Sequence, residues 1–585
     1  MKNTITLVMI VKNESENLGT CLDSVRDQVD EIVIVDTGST DNTLEVAAKY
    51  TDKVYFYLWD EDFSAARNYA IARAGGDWIL FLDADESLVC EPGQLKELVS
   101  RDNKIDAYML PLDYPIAKST DEYNRFLVLR LFRNNKGYHF KGKIHEQVVV
   151  HNHEVVGLAD NIFIKHSMIS PKERNRKRGR NLTALKKAIS EEPDNYFLQY
   201  YIGVEWLGLG KPARALPFLQ SAYQNLTDNH LLFRAPSLRY LLICLNALGN
   251  YDQTICLSQE TAFKYPDYTD IYYLGGIAFE EKAEYKLAIK WLEQAVKCGV
   301  PPVIYSHMNG TGGFLAHYHL GFCYEKLGQV DVAQECYERA LEVNDSYIYP
   351  VCNLFLLMLG RFGPGYTLNY FKKKGYLKKS DLALTVADLF FNSGYPGLAK
   401  GCLELLEEIS HKTEEVVFQL GRYNIYSGRF QMGLNYMVQI PEASDLFTTA
   451  QTHRAVALLL AGRFKEGRNL GLEMWKNKMS KDTARAVLTL SNFMQGEEIL
   501  RYPAKVNDLE LMKSSITLLD MCYHYLPDRD GQRCPYLNQV ISILEKMITG
   551  SSPDGYLTLE QYYKNKSNNL KEFFNYKFGT GGFMA

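Results

Sequence analysis

No run of uncharged apolar residues in this chain approaches the ~20 needed to cross a bilayer, and no Cys-x-x-Cys pair occurs among its 11 cysteines. The first absence excludes a membrane-spanning helix. The second excludes a zinc cage and a disulfide framework, because the thiols are scattered irregularly from Cys21 to Cys534; it predicts reduced thiols in a cytoplasmic protein. Net charge is small as well, 65 Lys and Arg against 70 Asp and Glu, which argues against a nucleic-acid-binding footprint. The turn after the first apolar strand is Lys12-Asn13-Glu14 rather than Gly-x-Gly-x-x-Gly, so a dinucleotide-dependent oxidoreductase is excluded. The absence of Gly-x4-Gly-Lys-Ser/Thr excludes a P-loop nucleotidase. The first apolar run, Ile5–Val11, ends in Lys-Asn-Glu with no small-residue cleavage site. It predicts a buried strand and not a signal peptide.

At about 150 residues per domain, the 585 residues predict roughly four domain-sized units. Forty tyrosines suggest packed helical repeats or a surface facing sugar or peptide. Charge is uneven along the chain: residues 1–168 hold 18 Lys and Arg against 27 Asp and Glu, the balance of a domain that holds a cation.

Strand and helix alternate over the first 85 residues. Strands are expected at Ile5–Val11, Glu31–Val35, Val54–Tyr57 and Trp78–Leu82, with helices over Glu16–Val25, from near Asp41, and over Ala65–Ala74 capped by Ser64. That cap puts Arg67 and Asn68 in the first turn, where backbone N–H groups and the helix dipole favour anions. This order predicts a parallel sheet with helices on both faces, whose ligands bind at the C-terminal strand ends. Polar clusters stand at three of those ends: Lys12-Asn13-Glu14, Asp36-Thr37-Gly38-Ser39 and Asp83-Ala84-Asp85. Further strands are expected at Ala107–Leu112, Phe126–Phe132, Val148–Val150 and Asn161–Ile164, followed by a basic stretch from Lys172 to Arg180.

After Pro193 the pattern is helical. Gly or Ala marks interhelical turns at positions 210, 249, 283, 328, 360, 394, 428, 462 and 496, the last four intervals being 34 residues each. A small residue follows five positions later at Ala215, Ala288, Ala333, Gly365, Ala399, Gly433 and Gly467. This period predicts tetratricopeptide hairpins stacked as a solenoid, with the Pro/Gly-rich insertion Val300–Gly313 as a loop. The tail segment Gly579-Thr580-Gly581-Gly582-Phe583 repeats Gly310–Phe314, for which we have no physical account.

The strongest chemical signal is Trp78-Ile79-Leu80-Phe81-Leu82-Asp83-Ala84-Asp85-Glu86, a buried strand ending in three carboxylates. Two carboxylates one residue apart can share a hard divalent cation that also binds substrate phosphates. His145-Glu146 follows Gly142 and is not the HExxH of zinc proteases. Glu146 is the candidate base for an acceptor proton, and His145 or His166 supplies a metal or phosphate contact.

Together, Val8–Glu14, Val35–Asp41, Asp62–Asn68, Leu82–Glu86, Arg130–Arg133 and Gly142–Glu146 resemble the family 2 glycosyltransferases of the GT-A fold. The helical region behind them is similar to the subgroup fused to tetratricopeptide repeats, which includes the sublancin-type peptide S-glycosyltransferases. The resemblance implies a nucleoside-diphosphate sugar donor, expected to be a UDP-hexose, with Mn²⁺ or Mg²⁺ as cofactor. Asn13, Glu14, Asp36, Arg67, Asn68, Asp83 and His145 would bind the donor, with Asp36 at the nucleoside. Asp83, Asp85 and His166 would hold the metal, and Glu146 and Asp85 would carry catalysis, with inversion. The expected domains are a GT-A glycosyltransferase domain (1–168), a basic helical connector (169–194), tetratricopeptide-like repeats (195–503) and a C-terminal helical cap or dimerisation region (504–585). The expected acceptor is a peptide or protein side chain captured by the solenoid, with a homodimer as the assembly. A glycan or cell-surface-polymer acceptor is the competing enzyme reading. A repeat scaffold with an inactive GT-A domain is the competing non-enzyme reading, opposed by the presence of Asp36, Asp83 and Asp85.

Overall fold

The computed structural model describes residues 3–101, 104–116, 122–159, 161–407, 413–477, 481–495 and 509–524. The chain forms two compact units, residues 1–347 and 348–585.

The first unit opens with β1 (Ile5–Val11), α1 (Leu18–Val25), β2 (Glu31–Asp36), α2 (Thr43–Ala47), β3 (Val54–Phe56), α3 (Phe63–Ile71) and β4 (Trp78–Phe81). The four strands pair in parallel, as expected. Side chains alternate between the sheet's faces. Ile5, Leu7, Met9, Trp78 and Leu80 pack with Leu18, Leu22 and Ala47 on one side. Val8, Val35, Ile79 and Phe81 pack with Ala70 on the other. Cover on both faces explains why these strands read as unbroken apolar runs.

Next come β5 (Glu86–Val89), α4 (Gln94–Ser100), β6 (Ala107–Pro115), β7 (Tyr123–Arg133), β8 (Phe140–Lys141), β9 (Gln147–Val148), β10 (Val156–Leu158) and β11 (Phe163–His166). The main sheet runs β3-β2-β1-β4-β7-β6-β11-β5, and β8 and β9 form a separate ribbon. Its parallel half is thus extended by strands of mixed direction, because β4 pairs antiparallel with β7.

The basic stretch lies on α5 (Pro171–Glu191), capped by Ser170. Hairpins follow: α6 (Tyr196–Gly208) with α7 (Pro212–Asn225), α8 (Leu231–Ala247) with α9 (Tyr251–Lys264), and α10 (Thr269–Glu281) with α11 (Tyr285–Cys298). The insertion then carries a short strand, β12 (His307–Met308), ahead of the pair α12 (Phe314–Lys326) and α13 (Val330–Val343).

The second unit contains α14 (Tyr349–Lys373), α15 (Ser380–Asn392), α16 (Pro396–Glu407), α17 (Glu414–Tyr426), α18 (Phe430–Met437), α19 (Phe447–Leu460), α20 (Phe464–Lys476), α21 (Lys481–Met494) and α22 (Leu509–His524). The turn residues Gly210, Gly249, Gly328, Gly394, Gly428 and Gly462 have φ between 69° and 84°, a backbone that glycine adopts without a steric penalty. Ala283 takes the same conformation at φ 58°. Within the hairpins a glycine faces a large side chain 16 positions later. A Cβ on Gly321 would stand 2.6 Å from the Tyr337 ring, and one on Gly203 the same distance from Leu219.

Five expectations need correction. The N-cap of α3 is Asp62, whose carboxylate accepts from the Ala65 N–H at 3.0 Å; Ser64 donates instead to the Gly142 carbonyl. Because α3 opens at Phe63, Arg67 and Asn68 lie beyond its first turn, outside the reach of the free N–H groups there. Gly360 is helical within α14, and the chain breaks at Gly363 (φ 77°) just before Pro364. Gly365 is exposed, not packed. Finally, Val300–Gly313 is not simply a loop. Its strand β12 pairs antiparallel with β7, His307 with Arg125 and Met308 with Asn124, so the insertion extends the sheet of the N-terminal domain. The repeat at Gly496 and the tail Gly579–Phe583 lie outside the described residues, as does 504–585 apart from α22 (509–524).

Candidate active site

The polar ends of β1, β2 and β4 come together at the sheet's C-terminal edge. Asn13, left-handed at φ 55°, accepts from the Thr40 N–H through Oδ1 at 2.7 Å and donates its own N–H to Ser39 Oγ at 2.9 Å. Asp36, 3% exposed, accepts the N–H groups of Gly38 and Ser39 at 3.0 and 3.1 Å. The first two strand ends therefore form one hydrogen-bonded rim. Glu14 is bonded to Asn17 at 2.8 Å, and burial raises its carboxyl above the usual range.

The end of β4 divides its carboxylates between two sets of cations. Asp83 accepts from Arg67 at 3.2 Å and from Arg130 at 3.1 Å. Burial opposes its ionisation, but the two guanidinium groups outweigh that and hold it well below the usual carboxylate range. Arg130 also bonds Glu86 at 2.7 Å. Glu86 is nearly inaccessible, and burial pushes its carboxyl up to about 7, against the pull of Arg130 and with help from the Asp83 charge. Asp85 turns the other way. Its Oδ2 lies 3.2 Å from Lys177 Nζ on α5 and 3.4 Å from His166 Nε2 on β11. Burial works against the charge on Lys177, but Asp85 prevails and raises it above the ordinary lysine value.

Arg67 links these groups to the 140s loop. Its guanidinium stacks 3.8 Å over Phe81, pairs with Asp83 and Glu146, and leaves Nη1 buried with no hydrogen-bond partner. A buried orphan donor beside paired carboxylates fits an anionic ligand. Asn68 is used otherwise: it exchanges two hydrogen bonds with the Phe140 backbone, at 2.9 and 2.8 Å. His145 points away from Asp83 and Asp85, its ring stacked on Tyr201 at 3.9 Å. Burial, aided by Arg180, keeps it neutral by pushing it down to about 4.

The donor chemistry suits a divalent cation in a particular way. Among the described residues no group of three His, Cys, Asp or Glu converges on one point. Asp85 and His166 form a ready pair, and Mg²⁺-like ions need only one or two protein ligands when water and phosphate supply the rest. Asp83 has both oxygens on arginines. Arg130 and Glu86 lie within the recognised motifs, with no individual role read from the sequence. Lys177 belongs to the basic stretch, a candidate to close over a diphosphate, and Tyr201 is one of the aromatic residues carried by the repeat helices.

Residues 6–153 match the family model described as glycosyl transferase family 2, and residues 314–347 match a tetratricopeptide repeat model. The SPbeta prophage-derived glycosyltransferase SunS of Bacillus subtilis (strain 168) is 31% identical over 237 residues, 38% of this chain and 54% of that protein. A TPR repeat-containing protein of Synechococcus elongatus is 43% identical over 149 residues, 25% of this chain and 35% of that one. The chain thus spans about half or less of the length of these relatives. Among solved structures, MamA from Desulfovibrio magneticus RS-1 aligns with a TM-score of 0.25 at 19% identity, over 30% of this chain and 90% of that one. The chain carries a GT-A-like family 2 domain followed by tetratricopeptide hairpins.

Proposed function

We propose that this family 2 glycosyltransferase domain with its fused tetratricopeptide repeats moves a sugar from a nucleoside-diphosphate donor, a UDP-hexose, to a peptide or protein side chain with inversion. One observation carries the reading. The carboxylates at the end of β4 are already matched by Arg67, Arg130 and Lys177, a charge arrangement that a diphosphate and its cation can enter without leaving a buried charge unpaired.

Asp36, Asn13 and Glu14 form the rim on which the nucleoside rests. Asp85 and His166 would hold Mn²⁺ or Mg²⁺, which when bound supplies charge neutralisation for the leaving diphosphate. Arg67 directs its free Nη1 at a diphosphate oxygen, and Lys177 is released from Asp85 to do the same. Asp83 acts through the two arginines it fixes. Glu146 accepts the acceptor's proton as the new bond to the anomeric carbon forms and the bond to the diphosphate breaks. The peptide acceptor is supported by the sublancin-type resemblance and by the extended binding surfaces that such repeats offer.

The test is the melting temperature with a UDP-hexose and Mn²⁺ together, since a ligand of the folded state raises it by mass action. Asp85→Ala should abolish both the metal-dependent shift and turnover while leaving helical content intact. Full activity in excess EDTA would refute the metal reading.

A further inference from the structure

The loop that carries Glu146 belongs to two parts of the first unit at once. It spans from β8 to β9, with Gly142 at φ 110° and His145 at φ 51°, the latter a backbone conformation that costs a residue with a side chain about 1–2 kcal/mol. Such a shape persists only where its surroundings enforce it. On one side α3 grips the loop, through Ser64 to the Gly142 carbonyl and from the Phe63 N–H to the Lys143 carbonyl at 3.2 Å. On the other side the grip comes from the first repeat. The Tyr201 ring of α6 lies parallel to the His145 ring, at 3.9 Å and 5°. Gln147 donates to the Tyr201 hydroxyl at 3.3 Å and to the His145 carbonyl at 3.2 Å. Ile144 packs with Leu182, Leu185 and Ile202. Glu146 is therefore flanked by two residues that both touch the same tyrosine.

We propose that Tyr201 is a positioning residue for the transfer reaction: through His145 and Gln147 it fixes the backbone that aims Glu146, which makes the first repeat a working part of the catalytic centre as well as a docking surface. The inference rests on Glu146 being the base. A side chain displaced by about 1 Å from a reacting group can cost on the order of 100-fold in rate, so a stacking contact next to the base has leverage that a remote packing contact lacks.

The experiment uses the full chain, with water as acceptor and the sugar nucleotide that most raises the melting temperature from a panel of UDP-glucose, UDP-galactose, UDP-N-acetylglucosamine and GDP-mannose. Tyr201→Ala should lower kcat for hydrolysis by about 10- to 100-fold, with donor KM within about twofold of the parent. Tyr201→Phe keeps the ring and should restore most of kcat. Tyr201→Leu, which keeps apolar bulk without the stack, substitutes for the alanine variant if that one melts early. The decisive comparison places each change in a Glu146→Gln background, where it should have no further effect. A Tyr201 effect of equal size in both backgrounds overturns the positioning role and leaves Glu146 as base. An unchanged rate for Glu146→Gln itself overturns the base reading and the positioning role with it.

Discussion

Arg67 meets three demands with one guanidinium: it pairs with Glu146, pairs with Asp83 and stacks on Phe81. Only the planar fork of arginine serves all three, so Arg67→Lys, which keeps the charge, should still lower turnover by at least about tenfold; steady-state kinetics at saturating donor checks this. The buried histidines set an acid limit. Burial pushes His145 down to about 4 and His453 down to about 3, with Arg180 and Arg422 assisting. As pH falls below their ordinary value of 6.5, the unfolded chain takes up protons that the folded chain refuses. Stability is therefore lost from pH 6.5 down to those depressed values, by up to about 1.4 kcal/mol per pH unit for each group. His453 is bonded to the Tyr426 hydroxyl at 2.9 Å. His453→Gln retains a polar partner there without titrating, and urea unfolding at pH 6.5 and 4.5 should show a smaller acid loss for it. At this scale the sequence revealed the carboxylates but not their partners. An apolar strand that stops at Asp83-Ala84-Asp85 is visible from periodicity alone. Lys177 reaches Asp85 across 92 positions, and only tertiary structure pairs residues that far apart.

The helical hairpins obey a rule of complementary sizes whose energetic weight differs from site to site. At Gly321 an added methyl meets the ring of fully buried Tyr337, which has no room to withdraw. Gly321→Ala should destabilise by about 1–3 kcal/mol. At Gly421 the same methyl meets only the flexible side chain of Met437, 3.0 Å away, and the better helix propensity of alanine offsets the contact to within about 1 kcal/mol. Equilibrium unfolding of the two variants, side by side, tests the contrast. Ala283 offers the reverse case: its φ of 58° suits glycine, so Ala283→Gly should stabilise by about 1 kcal/mol. The hairpin period was legible because each turn needs a left-handed residue, and the sequence supplies glycine at most of them. It misled at Gly360, since the break three residues later, at Gly363, is followed by Pro364, and a proline one residue after a glycine outweighs a 34-residue count. It was silent on β12 because a strand of two residues has no periodicity to detect. The cap of α3 was misplaced for a subtler reason. Asp62 and Ser64 are both good caps, and the choice depends on Gly142, 78 positions from Ser64.

Within the first unit the N-terminal domain and the first repeats are fastened at three places. One is the covalent path through α5 to α6. A second is the contact of Tyr201 with the loop that carries Glu146. The third is β12, where the Asn309 N–H donates to the Tyr123 carbonyl at 2.9 Å. Beneath it Arg239 is bonded to Asn124 and to Asp270, and Asp270 accepts from the Met308 N–H and the Thr311 hydroxyl, both at 3.0 Å. Truncation therefore has a predictable boundary. A fragment ending at residue 347 should melt cooperatively and retain slow sugar-nucleotide hydrolysis. One ending near residue 192 loses α6 and β12, exposes Ile144, Leu182 and Leu185, and should lose near-ultraviolet circular dichroism and hydrolysis together. A sharp melt by calorimetry for the shorter fragment would contradict this. The strand also bears on how such proteins can be recombined. An array of repeats joined to a catalytic domain by one peptide could be exchanged at that joint like a cassette, changing what is recognised and leaving the chemistry alone. Here a chimera cut only after α5 would bring a foreign insertion to β7 and leave Asn124 without its arginine. The array and the N-terminal domain are therefore inherited together: a working exchange must carry Tyr201, Arg239 and residues 300–313 with the array, or re-create their seats on the sheet.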